Sequence, residues 1–148
     1  MIRRIAVRGI FVHEGKLLCV KLKPYNGETY LKDFWCTIGG GVDDAEPFLG
    51  AIEREIIEET GITPDVGNLL YVQQYIQDEV ESTELFFHIK NAEDYVNIDL
   101  SKSSHGIKEI AEIAFMDPKS VNVLPKFLQF KDFTSFDPSA PVEFYSYL

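Results

Sequence analysis

Apolar positions recur with period two along most of this chain and with a helical period over one short stretch. "RRIAVRGIFVHEGKLLCVKLK" reads as two strands joined in a tight hairpin at His13-Glu14-Gly15-Lys16, with Gly15 supplying the turn. Ile5, Val7 and Phe11 alternate with Ala6, Ile10 and Val12, so the first strand is apolar on both faces and is predicted to be central and doubly covered. "PYNGETYLKD" is a loop, and "FWCTI" a short strand ending in Gly39-Gly40-Gly41. A helix is predicted from about Pro47 to Thr60, with proline at its first position and Gly61 and Pro64 ending it. "NLLYVQQYIQ" and "STELFFHIK" are antiparallel strands around "DEVE". "NAEDYVNIDLSKSSHGIK" is a polar loop long enough to be functional. "EIAEIAFM" is a further strand, "DPKSVNVLPKFLQFKDF" a short helical region, and "PVEFYSYL" a closing strand. Regular strand–helix alternation is lacking, so the pattern predicts one α/β domain over residues 1–148, a mixed sheet with helices on its faces.

Composition narrows the function. A net charge of −10 excludes a nucleic-acid polymer as the natural partner, because phosphate backbones require a basic surface. A small phosphorylated molecule remains accessible if divalent cations stand between it and the protein. Cys19 and Cys36 lie in strand-like segments and read as reduced core residues, which fits a cytoplasmic setting. "MIRRIAVRGIFV" has no signal-peptide pattern, and no apolar run is long enough for a bilayer, so no membrane partner is expected.

The helical stretch carries the chemistry. Glu55, Glu58 and Glu59 share one helix face, because positions i, i+3 and i+4 lie within an arc of about 100°. Phe48, Leu49, Ile52 and Ile56 form the adjoining apolar stripe, expected to pack on the sheet. The acids therefore sit at the edge of the buried face. Carboxylates crowded there repel each other unless a cation neutralises them, and Mg²⁺ takes such oxygen ligands while keeping waters and substrate phosphates in its shell. The competing reading is a solvated acidic face.

The wider spacing bears on this choice. Gly40, five residues, Glu46, seven residues, then "REIIEETGI" from Arg54 to Ile62 resembles the signature of the Nudix hydrolases at every fixed position. The resemblance implies an α/β/α sandwich and hydrolysis of a nucleoside diphosphate linked to another moiety, with Mg²⁺ or Mn²⁺. It implies that Glu55, Glu58 and Glu59 bind metal together with the Gly39 carbonyl, and that Arg54 and Glu46 pair to orient those acids. Gly40 and Gly41 would let the backbone approach metal and phosphates closely. The proton acceptor is left open among Glu55, Glu109 and Glu112. Relatives that cleave ADP-ribose tend to carry a proline shortly beyond the box, whereas this chain reads "YIQD" from Tyr75 to Asp78. Ile38 stands where the family commonly has proline. By elimination the expected substrate is a nucleoside triphosphate or nucleotide-sugar; the alternative is a non-catalytic nucleotide-sensing module.

Other residues carry weaker signals. Arg8, Lys21, Lys23 and Lys32 are candidate phosphate contacts, and Arg8 in a central strand requires a partner for its charge. Phe34 and Trp35 suit either base stacking or the core. His13, His88 and His105 lack metal-ligand spacing. Phe127, Phe130, Phe133 and Phe136 recur every third residue before "EFYSYL", and read as core or as a homodimer surface. Gly39-Gly40-Gly41 lacks both the P-loop lysine and the Rossmann spacing.

Overall fold

In the first hairpin, Glu14 and Gly15 both take positive φ, 52° and 76°, as a two-residue turn matched to strand twist requires. A computed structural model of the chain describes residues 1–24 and 33–148; Lys32 and most of the predicted loop around it lie outside the described residues. The hairpin is more complex than its sequence pattern. β1 (Ile2–Ile10) ends before Phe11, and β2 (Val12–His13) then pairs with β3 (Lys16–Leu22) in a different sheet. Phe11 is fully buried at this crossing. β4 (Gly39–Gly41), α1 (Phe48–Thr60), β5 (Val66–Gln77) and β6 (Val80–Ile89) follow. α2 (Gly106–Glu109), β7 (Ile110–Met116) and β8 (Glu143–Tyr147) complete the order.

One sheet runs β4-β1-β6-β5-β8 and the other β2-β3-β7. The first is mixed: β1 lies parallel to β6 and β5 parallel to β8, while β1–β4 and β5–β6 are antiparallel. β1 is therefore interior, as its two apolar faces predict. Period-two alternation assigns residues to two cores. Val7, Phe87 and Ile89 join Ile52 and Ile56 of α1 in one. Ile10, Phe86 and Tyr71 join Phe127, Leu128 and Phe133 in the other. The architecture is α/β with layers on both sides, but the second helical layer consists of 3-10 turns at Lys126–Phe130 and Phe133–Ser135.

Several expectations need correction. "FWCTI" is not a strand; Trp35 and Cys36 make isolated bridges, and the glycine run itself pairs with β1 as β4. Phe48 and Leu49 are exposed, so the buried stripe of α1 is Ala51, Ile52 and Ile56. The strands under α1 are β1 and the three-residue β4, too short to cover the helix's first turn. Pro47 is extended (ψ 143°) and stands just outside the helix, while Gly61 closes it at φ 76°. The polar loop holds two 3-10 turns and α2, and it buries Tyr95 edge-on against Phe11. Of the phenylalanine series, Phe127 and Phe133 are core, whereas Phe130 is 83% exposed.

α2 docks on the C-terminal end of α1. The His105 amide donates to the Glu58 carbonyl at 2.8 Å, and Gly106 lies so close to the Glu59 carbonyl that a Cβ would overlap it. Gly106→Ala should therefore lower the melting temperature by roughly 5 °C, a loss of about 2 kcal/mol. Helix propensity alone predicts the opposite sign. A thermal melt showing equal or higher stability would contradict this packing.

Candidate active site

The glycine strand brings the acidic helix face onto bare backbone. Gly39, Gly40 and Gly41 pair with Arg8, Val7 and Ala6. A Cβ at Gly40 would stand 2.6 Å from the Glu55 carboxyl, and one at Gly39 would overlap the Val7 carbonyl oxygen. Gly41 faces open space, with the Arg4 guanidinium 3.9 Å from where its Cβ would be. Gly39 is thus required by the backbone beside it, Gly40 only while Glu55 keeps this position, and Gly41 is not.

Arg54 is the hub beneath this surface. It grips Glu46 through two bonds, Nε to Oε2 at 2.7 Å and Nη2 to Oε1 at 2.9 Å. The same guanidinium donates to the Gly41 carbonyl at 3.2 Å, to Glu55 at 3.1 Å and to Glu58 at 3.3 Å. Glu46 also accepts the Asp43 amide at 3.0 Å. Hydrogen bonds from Arg54, then the Asp43 amide, hold the Glu46 carboxyl down at about 2. One ion pair therefore ties the loop after β4 to the acid face of α1.

The two inner carboxylates are under the opposite influence. Glu59 is 7% exposed, and its Oε2 has no hydrogen-bond partner among the described residues. Burial, then the charge of Glu55, pushes the Glu59 carboxyl up to about 8, although Arg8 pulls the other way. Burial also raises Glu55, against the pull of Arg54 and with repulsion from Glu58 and Glu109. A buried carboxylate oxygen left without a donor costs free energy unless a proton or a cation fills its place.

Glu59, Gly39 and Gly40 line a cavity of about 310 Å³ together with Arg4, Arg8 and Lys23. Glu109 lines it too, carried there by α2. Lys23 Nζ donates to the Ile107 carbonyl at 2.6 Å, fixing the edge of this cavity to α2. Glu112 is exposed on β7 opposite Lys21 and does not line the cavity. Lys21 lies over Trp35, 5.5 Å from the ring, and Trp35 packs on the second core. Glu58 faces Arg54 and His105, whose Nδ1 is 3.5 Å from its Oε2.

Arg8 has the partner its position demanded. Its Nε donates to Glu84 at 2.6 Å and its Nη1 to the Thr37 carbonyl at 3.1 Å. Sequence reasoning missed Glu84 and its second donor, Gln73 at 3.0 Å. The available signal was an acid in the alternating strand "STELFFHIK", on the same face as Phe86.

The NUDIX domain family matches residues 2–138. The chain belongs to the Nudix hydrolase family. No curated protein matches the sequence, but many solved structures share the fold. A MutT protein from Methanosarcina mazei Go1 is 20% identical, with 90% of this chain and 91% of that one covered, at a TM-score of 0.66. A UDP-X diphosphatase is also 20% identical over 97% of this chain and 68% of that one, at 0.67. An ADP-ribose pyrophosphatase from Streptococcus suis is 14% identical over 95% and 98%, at 0.59. The α/β arrangement with its mixed sheet is the Nudix fold.

In this Nudix hydrolase the donor chemistry suits a divalent cation: an unpaired buried Glu59 oxygen, a crowded Glu55 and a glycine surface that leaves room beside it. Among the described residues, however, no three His, Cys, Asp or Glu side chains converge to enclose an ion, and Arg54 holds both Glu55 and Glu58. Full enclosure needs those two carboxylates to rotate away from Arg54. For the metal-free protein the linkage has a definite sign. Glu59 is raised from 4.5 to about 8, so its favourable contribution is complete below pH 4.5 and is lost as pH rises through about 8. Glu59→Gln should flatten that decline and raise the melting temperature at alkaline pH by about 2–4 °C. Thermal melts across this range, with parallel declines in both proteins, would contradict it.

Proposed function

We propose that the chain is a Mg²⁺- or Mn²⁺-dependent pyrophosphohydrolase that cleaves a nucleoside diphosphate linked to another moiety, of the nucleoside triphosphate or nucleotide-sugar type. The observation that carries this reading is the unpaired, buried Glu59 oxygen in a cavity that Arg4, Arg8 and Lys23 also line. The names of two structural neighbours, a UDP-X diphosphatase and an ADP-ribose pyrophosphatase, support the substrate class. Glu55, Glu58, Glu59 and the Gly39 carbonyl would hold the metal, which when bound offsets diphosphate charge and makes water more acidic. Arg4 and Lys23 draw the phosphates into the cavity, and Arg54 with Glu46 keeps the acid face in register with the glycine strand. Glu109 is the acceptor for the proton of the attacking water, since it lines the cavity and Glu112 does not. The reaction is in the cytoplasm, and the exposed edge strand β8, with Phe144 outward, is the surface for a second copy. Among the described residues no helix is long and apolar enough to cross a membrane.

The grip of Arg54 on Glu55 and Glu58 favours one rival, a nucleotide-sensing module without turnover. Release of monophosphate from a panel of nucleoside triphosphates and nucleotide-sugars, with Mg²⁺ or Mn²⁺, separates the two. The hydrolase reading expects turnover that falls at least about 100-fold in Glu58→Gln and Glu59→Gln. Absence of turnover by folded protein with every compound would establish the rival. Within the same assay, Glu109→Gln should lower kcat about 100-fold while Glu112→Gln stays within about twofold. The reverse ranking would remove Glu109 as proton acceptor.

A further inference from the structure

A second cavity, of about 500 Å³, opens beside the first and shares Arg8, Leu22 and Cys36 with it. Its floor is the polar continuation of a core layer. Ile10, Phe86 and Tyr71 lie in the second core, and two residues along each strand, on the same faces, stand Arg8, Glu84 and Gln73. Glu84 and Gln73 are 4% and 5% exposed. Such a buried polar row is costly unless its bonds are satisfied. Glu84 is satisfied, accepting from Arg8 at 2.6 Å and from the Gln73 side-chain nitrogen at 3.0 Å.

This row fixes the chemistry that Gln73 shows the cavity. Arginine stays charged and keeps Glu84 an acceptor, so the Gln73 amide must turn its nitrogen toward Glu84. Its Oε1 is then the free group, and no donor among the described residues reaches it. Phe34, Tyr75, Tyr147, Leu124 and Pro125 supply the aromatic and apolar part of its lining. A slot with aromatic and apolar walls and an oriented acceptor on its sheet side is suited to a flat ring bearing an N–H at its edge.

We propose that this second cavity seats the nucleobase of the substrate and that Gln73, oriented by Glu84 and Arg8, is a specificity-determining residue that accepts an N–H from the base. The inference rests on the diphosphate lying in the acid cavity, and Arg8, at the border of both, sets the distance between the two subsites. Gln77 and Lys126 at the rim are within the same cavity and provide the polar edge.

Nuclear magnetic resonance of the wild-type protein tests it without a variant that might misfold. The probes are uridine and adenosine 5′-monophosphates, their donor-lacking counterparts (N3-methyluridine and purine riboside 5′-monophosphates), and ribose 5-phosphate. The Gln73 side-chain amide and the Tyr75 amide should shift with at least one nucleotide and stay still with ribose 5-phosphate. Loss of the donor should weaken that nucleotide about tenfold or more. Equal affinity within both pairs, or no shift at Gln73, overturns the proposal. Turnover in the hydrolysis assay without Gln73 shifts sinks this inference alone. Shifts at Gln73 without any turnover leave the base site standing and sink the hydrolase reading.

Discussion

Burial of the Glu59 carboxyl, with the charge of Glu55 acting on it beside a glycine strand, is the constraint around which the site is arranged. The fold contains this charge without cancelling it. Arg54 and Glu46 fasten the glycine loop to the helix, and Arg8 approaches Glu59 from the sheet while already bonded to Glu84. Neither cation bonds the Glu59 oxygen that is left bare. A structure that keeps an uncompensated acid buried is less stable than it need be, and such sites are where function and stability oppose each other.

The two cavities follow from strand order. β4 at the sheet edge brings helix α1 and its acids to one side of Arg8, while β6 and β5 bring Glu84 and Gln73 to the other. Arg8 thus stands where the acid cavity meets the apolar one. α2 closes the acid side by packing Gly106 on the end of α1, which places Glu109 at the cavity and leaves Glu112 beyond it on β7. A four-residue helix in a polar connection accordingly separates two glutamates that look equivalent along the chain.

Much of this was legible in the sequence, and the gaps have physical reasons. The helix and its glycine cap were readable because helical spacing and capping are local, and the Arg54–Glu46 pair was implied by the family resemblance alone. The β5–β6 hairpin and the closing strand were readable from alternation. β4 was not, since three glycines carry no propensity for a strand, and the close approach of the Val7 carbonyl that bars a side chain at Gly39 is visible only in the fold. Phe48 and Leu49 were misplaced because periodicity shows which face is apolar but not how far the underlying sheet extends. Glu84 was missed because its bond to Arg8 depends on a parallel pairing of β1 with β6, a contact between distant segments, and Gln73 takes its role from Glu84 across β5–β6.

The central claim is that Glu55 and Glu59 bind a divalent cation. Its most direct test is the melting temperature of the wild-type protein and of Glu59→Gln at pH 8, each with and without saturating Mn²⁺. The account predicts that Mn²⁺ raises the wild-type melting temperature by several degrees and raises that of Glu59→Gln far less. No rise in the wild type, or an equal rise in both, would contradict it.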